Sequence, residues 1–322
     1  MKKVRWGILG AGRIAHSFAK DIVYTASAEL VAVAARNAQS ATDFAATYGV
    51  NKAYSYEDLY ADSDVDAIYI ATPHNFHYGQ VKKALAAEKH VLCEKPVTIS
   101  RKDCEELIVR AKIANRFFME GMWTYFLPAI IRAQQWVMSG RIGTIKHIKS
   151  DFGYPLAYDP QRREYDANLA GGCLLEMGIY PVAIADLFIK EPLLAHYSSV
   201  KFAPNGVETD VSTIFTYANS MATIGSSFSA KLQNWTYIIG TEGYIAIPDF
   251  WRASSCYLYQ LDEQRDAFND ERTTLGFNYQ IESVSRAITN GKIESEIVSH
   301  RSSLQFQEQM ELIKREWKNI TL

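Results

Sequence analysis

The chain has 322 residues, 48% hydrophobic and 22% charged, which is ordinary globular usage and excludes disordered and low-complexity classes. At roughly 150 residues per domain it divides in two. Lys+Arg 34 against Asp+Glu 36 leaves a net charge of −2, so no global field draws it to nucleic acid or a membrane surface. Cys93, Cys104, Cys173 and Cys256 are scattered and contain no C-x-x-C, which argues against a disulfide framework or zinc site and for a reducing compartment. The N-terminal apolar run is short and broken by glycines, unlike a signal peptide. No stretch approaches the ~20 apolar residues of a membrane helix. The expectation is a soluble cytoplasmic protein.

In chain order, Val4–Leu9 is a short apolar run, hence a buried strand. Ile14–Thr25 reads as a helix, Leu30–Ala35 as a strand, Ala38–Tyr48 and Tyr56–Ala61 as helices. Ala67–Ala71 and His90–Glu94 are further strands, Gly79–Ala87 and Asp103–Asn115 helices, and Phe117–Glu120 is strand-like. Fully apolar strands alternating with helices mean a doubly wound parallel sheet covered on both faces, an α/β Rossmann-type domain. This domain is expected over residues 1–122.

Past it the pattern changes. Pro128–Met138 and Gly172–Phe188 read as helices. Asp210–Tyr217, Met221–Ser229, Thr236–Ile239 and Tyr244–Ile247 read as strands with period-2 alternation. Ser302-x-x-Gln305 is a capping-box pattern before a terminal helix, whose apolar stripe is Phe306, Met310, Ile313 and Trp317. Residues 123–322 thus form an α+β domain with a large, mostly antiparallel sheet. Few helices remain to cover both faces, so one face is left open. Val211, Thr213, Phe215 and Tyr217, or their alternates Ile214 and Thr216, would line it. A contiguous apolar face of that size marks an interface and predicts a homodimer, or a tetramer built from it.

Gly10-Ala11-Gly12-Arg13-Ile14-Ala15 is G-x-G-x-x-A between a strand and a helix. The first glycine permits the tight turn, the second lets backbone approach a pyrophosphate, and the small Ala15 lets helix pack on strand. Free N–H groups at the helix start face the phosphates. An NAD-specific site carries Asp or Glu at the end of the second strand, ~20 residues on. Here Ala34-Ala35-Arg36-Asn37 offers no carboxylate. Arg36 suits a 2′-phosphate, so NADP is favoured over NAD. Thr72-Pro73-His74-Asn75-Phe76-His77 follows the third apolar strand at the carboxyl end of the sheet, where ligands bind. His74 and His77 lack a third ligand nearby, so no metal is expected. Cys93-Glu94-Lys95-Pro96 closes the next strand and sends Lys95 to the same crevice.

With Gly171-Gly172-Cys173-Leu174-Leu175-Glu176-Met177-Gly178-Ile179-Tyr180, these motifs resemble the Gfo/Idh/MocA oxidoreductases. The likeness runs nearly end to end. Met119–Trp123, Gly206–Thr209 and Gly240–Gly243 look most like the branch of glucose–fructose oxidoreductase and dimeric dihydrodiol dehydrogenase. The resemblance implies NAD(P) held by Gly10, Gly12, Arg13, Ile14, Arg36, Thr72, Pro73, Asn75, His77, Glu94 and Lys95. It implies catalytic roles for Lys95, Tyr180 and Glu176, and a sugar, polyol or dihydrodiol-like substrate. Glu176 and Tyr180, four apart, share a helix face. A phenol near pKa ~10 and a lysine near ~10.4 are each poor bases alone. A Lys95 cation favours a Tyr180 phenolate, so Tyr180 is expected to be the acid/base and Lys95 its electrostatic partner; the assignment reverses if the pair titrates as a unit. Two departures stand out: Glu176 replaces the usual Asp, and Tyr125 replaces an Arg frequent in that branch. A non-catalytic NADP-binding sensor on the same fold is the alternative function.

Overall fold

The computed structural model describes residues 3–317. Two compact units divide the chain. One takes the chain up to Trp123 together with Arg272–Leu304, the other Thr124–Glu271 and the chain from Gln305 on.

The first unit holds a six-stranded sheet of β1 (Val4–Leu9), β2 (Ala28–Ala34), β3 (Lys52–Tyr54), β4 (Ala67–Ile70), β5 (His90–Glu94) and β6 (Phe118–Gly121), in the order β3-β2-β1-β4-β5-β6. Every pairing is parallel. The chain order reverses between β1 and β4, so the crevice at their carboxyl ends is the topological switch point. β4 is buried along its whole length, as its apolar run requires. The helices are α1 (Arg13–Asp21), α2 (Ala38–Tyr48), α3 (Tyr56–Ala61), α4 (His74–Ala86) and α5 (Arg101–Ala114). α4 starts at His74 and not at Gly79, because Pro73 caps it and Thr72-Pro73 forms the turn. α8 (Phe277–Thr289) returns to this unit. Asp21 accepts hydrogen bonds from the Leu275 and Phe277 N–H groups, and Trp6 donates to Ser285. A single boundary at residue 122 does not contain that return.

In the second unit, after α6 (Pro128–Met138), β7 (Ile145–Gly153) opens an eight-stranded sheet. α7 (Ile179–Phe188) precedes β8 (Leu193–Phe202), β9 (Glu208–Tyr217), β10 (Met221–Ser227), β11 (Trp235–Gly240), β12 (Tyr244–Pro248), β13 (Ser255–Gln260) and β14 (Glu263–Asn269). The order is β14-β13-β12-β11-β7-β10-β9-β8, antiparallel except β7 with β10. Val211, Thr213, Phe215 and Tyr217 are buried. The alternate set faces outward, and Ile214 pairs laterally with Tyr197 and Thr223. That face also carries Met221, Tyr237, Tyr244 and Tyr259; the rings of Tyr244 and Tyr259 stack at 4.7 Å. Tyr197 is 67% exposed within the chain.

α9 (His300–Trp317) begins two residues before the expected cap. Ser299 is the residue whose hydroxyl accepts from Ser302 N–H, at 3.2 Å. Ala167–Phe188 passes as long and apolar enough to cross a membrane by length and composition only, and it includes Asn168, Glu176, Pro181 and Asp186. Of that window 78% is buried inside the protein, as for a core segment.

Candidate functional site

In the first unit, β1 runs into the glycine turn. Gly10 has φ +105, and a Cβ there would lie 2.8 Å from the Ala71 carbonyl oxygen. This position needs glycine both for its backbone and for the close passage of β4. Gly12 has extended backbone, and a Cβ on it would meet open space. It caps α1 with no side-chain hydrogen bond, so the Arg13 and Ile14 turn presents free N–H groups and the positive end of the helix dipole. That is a cradle which any Cβ would partly fill, and it fits a pyrophosphate.

At the end of β2, Arg36 is exposed. Asn37 caps α2 by accepting from Gln39 and Ser40 N–H groups at 2.8 and 3.2 Å. The Tyr56 hydroxyl hydrogen-bonds the Arg36 backbone. Tyr56 also lines a cleft of about 430 Å³ with Tyr60, Asn75, Phe76 and Lys83. Asn75 Oδ1 is a buried acceptor with no hydrogen-bond partner, at the first turn of α4. Tyr56, which bonds the Arg36 backbone, is the link between this cleft and the end of β2.

Thr72 Oγ1 donates to Gln80 at 2.5 Å, which fixes the turn around Pro73. Sequence reasoning gave His77 to the cofactor, but its ring is fully buried, with Nδ1 2.7 Å from the Pro96 carbonyl and Nε2 2.8 Å from that of Thr72. It joins two turns. Glu94 ends β5 and accepts from the Tyr69 hydroxyl at 2.5 Å. Lys95 is 9% exposed, and the Lys95–Pro96 bond is cis.

In the second unit, Gly171 lies against the Glu164 carbonyl, and Gly172, at φ +124, against the Glu208 carboxyl. Leu174–Gly178 is then a π-helical turn, with Ile179 N–H bonded to the Leu174 carbonyl, before α7 begins. Sequence reasoning took this stretch as plain α-helix. The i→i+5 bond has no propensity signature, and such turns recur at functional sites. Gly178 lies flat on β10; a Cβ would be 3.0 Å from Ser226 Oγ. Glu176 forms an ion pair with Arg163, a partner that thirteen-residue spacing did not disclose.

Tyr180 is 6% exposed, and its ring meets Phe152 edge-on at 5.5 Å. Phe152 stacks on Trp251 at 4.1 Å, and Tyr154 meets Trp251 edge-on. The aromatic count alone could not single out this wall. Tyr125, where the branch often has Arg, is buried and donates to the Ala183 carbonyl at 2.5 Å. It braces α7. Among the described residues, no group of three or more His, Cys, Asp or Glu is placed to hold a metal ion.

The family model described as "Oxidoreductase family, NAD-binding Rossmann fold" matches residues 4–122, and the "GFO/IDH/MocA C-terminal domain" matches 130–246. A trans-1,2-dihydrobenzene-1,2-diol dehydrogenase of Xenopus laevis is 33% identical over 307 residues, covering 92% of this chain and 92% of that protein. The Mus musculus enzyme of the same name is 36% identical over 253 residues, 77% of this chain and 75% of its own. The chain belongs to the Gfo/Idh/MocA oxidoreductase family.

This oxidoreductase also shares its fold with solved structures. An aldose-aldose oxidoreductase from Caulobacter crescentus aligns at TM-score 0.90 and 24% identity, over 99% of this chain and 98% of that one. A 3-ketoreductase from Actinomadura kijaniata, solved with NADP and TDP-benzene, aligns at 0.87 and 23%, over 98% of each chain. The oxidoreductase is an NAD(P)-dependent enzyme, and the glycine cradle is where its own residues suit the dinucleotide.

Proposed function

We propose that this oxidoreductase uses NADP and acts on a dihydrodiol, sugar or polyol, or on the matching carbonyl compound. The observation that carries the reading is 33% identity to a dihydrodiol dehydrogenase across 92% of the chain. NADP supplies hydride acceptance and return when bound. Gly10, Gly12, Arg13 and Ile14 would hold its pyrophosphate, and Arg36 its 2′-phosphate. Thr72, Pro73, Asn75, Glu94 and Lys95 line the remainder.

Tyr180 exchanges the proton of the reacting hydroxyl, and Lys95 is the cation of the reaction; the formal roles exchange if the two titrate as one unit. Glu176, paired with Arg163, orients the substrate. The aromatic wall of Phe152, Trp251 and Tyr154 suits a ring with an apolar face. The protein works in the cytoplasm.

Turnover of NADP+ with trans-dihydrobenzenediol and a panel of aldoses and polyols tests the reading. Tight NADP binding without turnover on any of them would favour a sensor instead. Arg36→Ala is expected to weaken NADP binding by about 10- to 100-fold, the scale of charge-assisted hydrogen bonds, and NAD binding little. Equal losses for both would remove the 2′-phosphate role.

The open face of the second sheet supports a two-fold homodimer or a tetramer built from it. Exposed Tyr197, Ile214 and Met221 give it an apolar centre. Light scattering at micromolar concentration is expected to report a multiple of 36.4 kDa. Ile214→Lys is expected to shift the protein toward the monomer. A wild-type monomer would refute the interface.

A further inference from the structure

One peptide unit in the first unit is held from both sides. The Pro96 carbonyl accepts from His77 Nδ1 at 2.7 Å, and the Val97 N–H donates to Glu120 Oε1 at 2.9 Å. These are the two polar ends of the Pro96–Val97 peptide, immediately after Lys95. The other imidazole nitrogen, Nε2, lies 2.8 Å from a second carbonyl, that of Thr72. A neutral imidazole has one N–H and one lone pair. Between two carbonyl oxygens, one contact would then set lone pair against lone pair, in a buried setting where such a mismatch is costly. Only the imidazolium donates to both.

We propose that His77 is doubly protonated and, with the Glu120 carboxylate, grips the Pro96–Val97 peptide so as to position Lys95. The role of Lys95 rests on the proposed function. His77 and Glu120 are then positioning residues, and His77 is not a cofactor ligand.

The arrangement is electrostatically consistent. Glu120 is 1% exposed, and its Oε2 is buried with no hydrogen-bond partner. Burial, with Glu94, outweighs the lowering pulls of Ser303, the Val97 N–H and the Lys95 charge, and leaves its carboxyl raised to about 7. Cys93 and Cys104, from β5 and α5, are thiols that burial keeps protonated. His74 faces His77 from its own helix, with ring centroids 5.8 Å apart. Tyr69 of β4 is bound to Glu94. An ionised Glu120 across the peptide is the charge that favours the His77 cation.

Nitrogen NMR of the 15N-labelled full chain tests this without substrate or cofactor. The protein has 7 histidines, and His77 is assigned by replacing the others in turn. At pH about 8, where an ordinary histidine of pKa about 6.5 is neutral, both His77 nitrogens are expected to carry protons. A neutral-imidazole pattern at that pH overturns the proposal. Glu120→Gln keeps the acceptor for Val97 and removes only the charge. In that variant His77 is expected to lose its second proton at lower pH, and an unmoved titration overturns the pairing.

His77→Gln is expected to lower kcat by about 10- to 100-fold, the cost of a misplaced group, and to shift the alkaline limb of the pH profile. NADPH and NADH affinity should stay near the wild-type values. Parallel loss of cofactor affinity and kcat would assign the ring to the cofactor turn and overturn the positioning role. If the NADP reading fails, the NMR result still stands or falls by itself.

Discussion

Tyr180→Phe and Lys95→Ala are each expected to lower kcat/KM by about 10²-fold or more, the scale of acid–base catalysis, or about 2.7 kcal/mol of transition-state stabilisation. Tyr180→Phe removes one oxygen and keeps the ring that meets Phe152, so packing on α7 survives. Its loss should fall mainly on kcat, with NADPH affinity unchanged by direct titration. Lys95 is nearly buried, so Lys95→Ala also opens a cavity. Lys95→Met fills it and separates charge from packing. If the two residues handle one proton as a unit, the double variant loses much less than the product of the single losses. Near-normal turnover in Tyr180→Phe would remove the hydroxyl from the mechanism.

Local physics made the first sheet readable. β1 and β5 are short apolar runs bounded by turns, and their expected limits match the observed strands. α6 begins at Pro128, a residue suited to the first helical turn. β7 and β13 escaped reading despite alternating burial; the other strands that escaped are of another kind. β14, Glu263–Asn269, is an edge strand whose charged residues face water, so it carries no hydrophobic signal. β8 mixes Leu, His, Tyr, Ser and Lys, and most of its residues are only partly buried. β3 is three residues long. The return of α8 to the first unit depends on contacts such as Trp6 with Ser285, 279 positions apart. No local pattern encodes a pairing at that distance.

The site divides in the same way. Gly10 and Gly12 were legible because a phosphate turn imposes steric demands on single positions. The end of the second strand showed Arg36 and no carboxylate in the sequence alone, and its 2′-phosphate role is part of the proposal above. His77 was visible as a residue, but its contacts with the Pro96 and Thr72 carbonyls were not, because sequence does not mark backbone acceptors. Arg163 with Glu176, and Glu120 beneath Val97, are side-chain partnerships set by the fold. The sequence pattern locates the turns that carry chemistry; the groups that hold those turns in place emerge only with packing.

Gly172→Ala is expected to be among the most destabilising single-methyl changes in the chain. Gly172 has φ +124, a conformation that L side chains rarely adopt, and an added Cβ would overlap the Glu208 carboxyl. The backbone part alone costs about 1–3 kcal/mol, and the buried carboxyl has little room to retreat. Burial raises the Glu208 pKa, and Lys314 and the Leu174 N–H pull it back down. Moving it would therefore disturb a buried charge and the start of the π-turn together. A loss of about 3 kcal/mol or more is expected, adding an overpacking cost of about 1–3 kcal/mol. Urea unfolding of the cofactor-free protein measures it. Because Gly172 launches the turn that carries Glu176 and Tyr180, the folded fraction should also show reduced kcat. Adding Glu208→Ala to Gly172→Ala relieves the overlap but not the backbone strain, so a double-mutant cycle separates the two. Wild-type stability in Gly172→Ala would mean that the backbone there relaxes freely, and the account of how the turn is braced would fail.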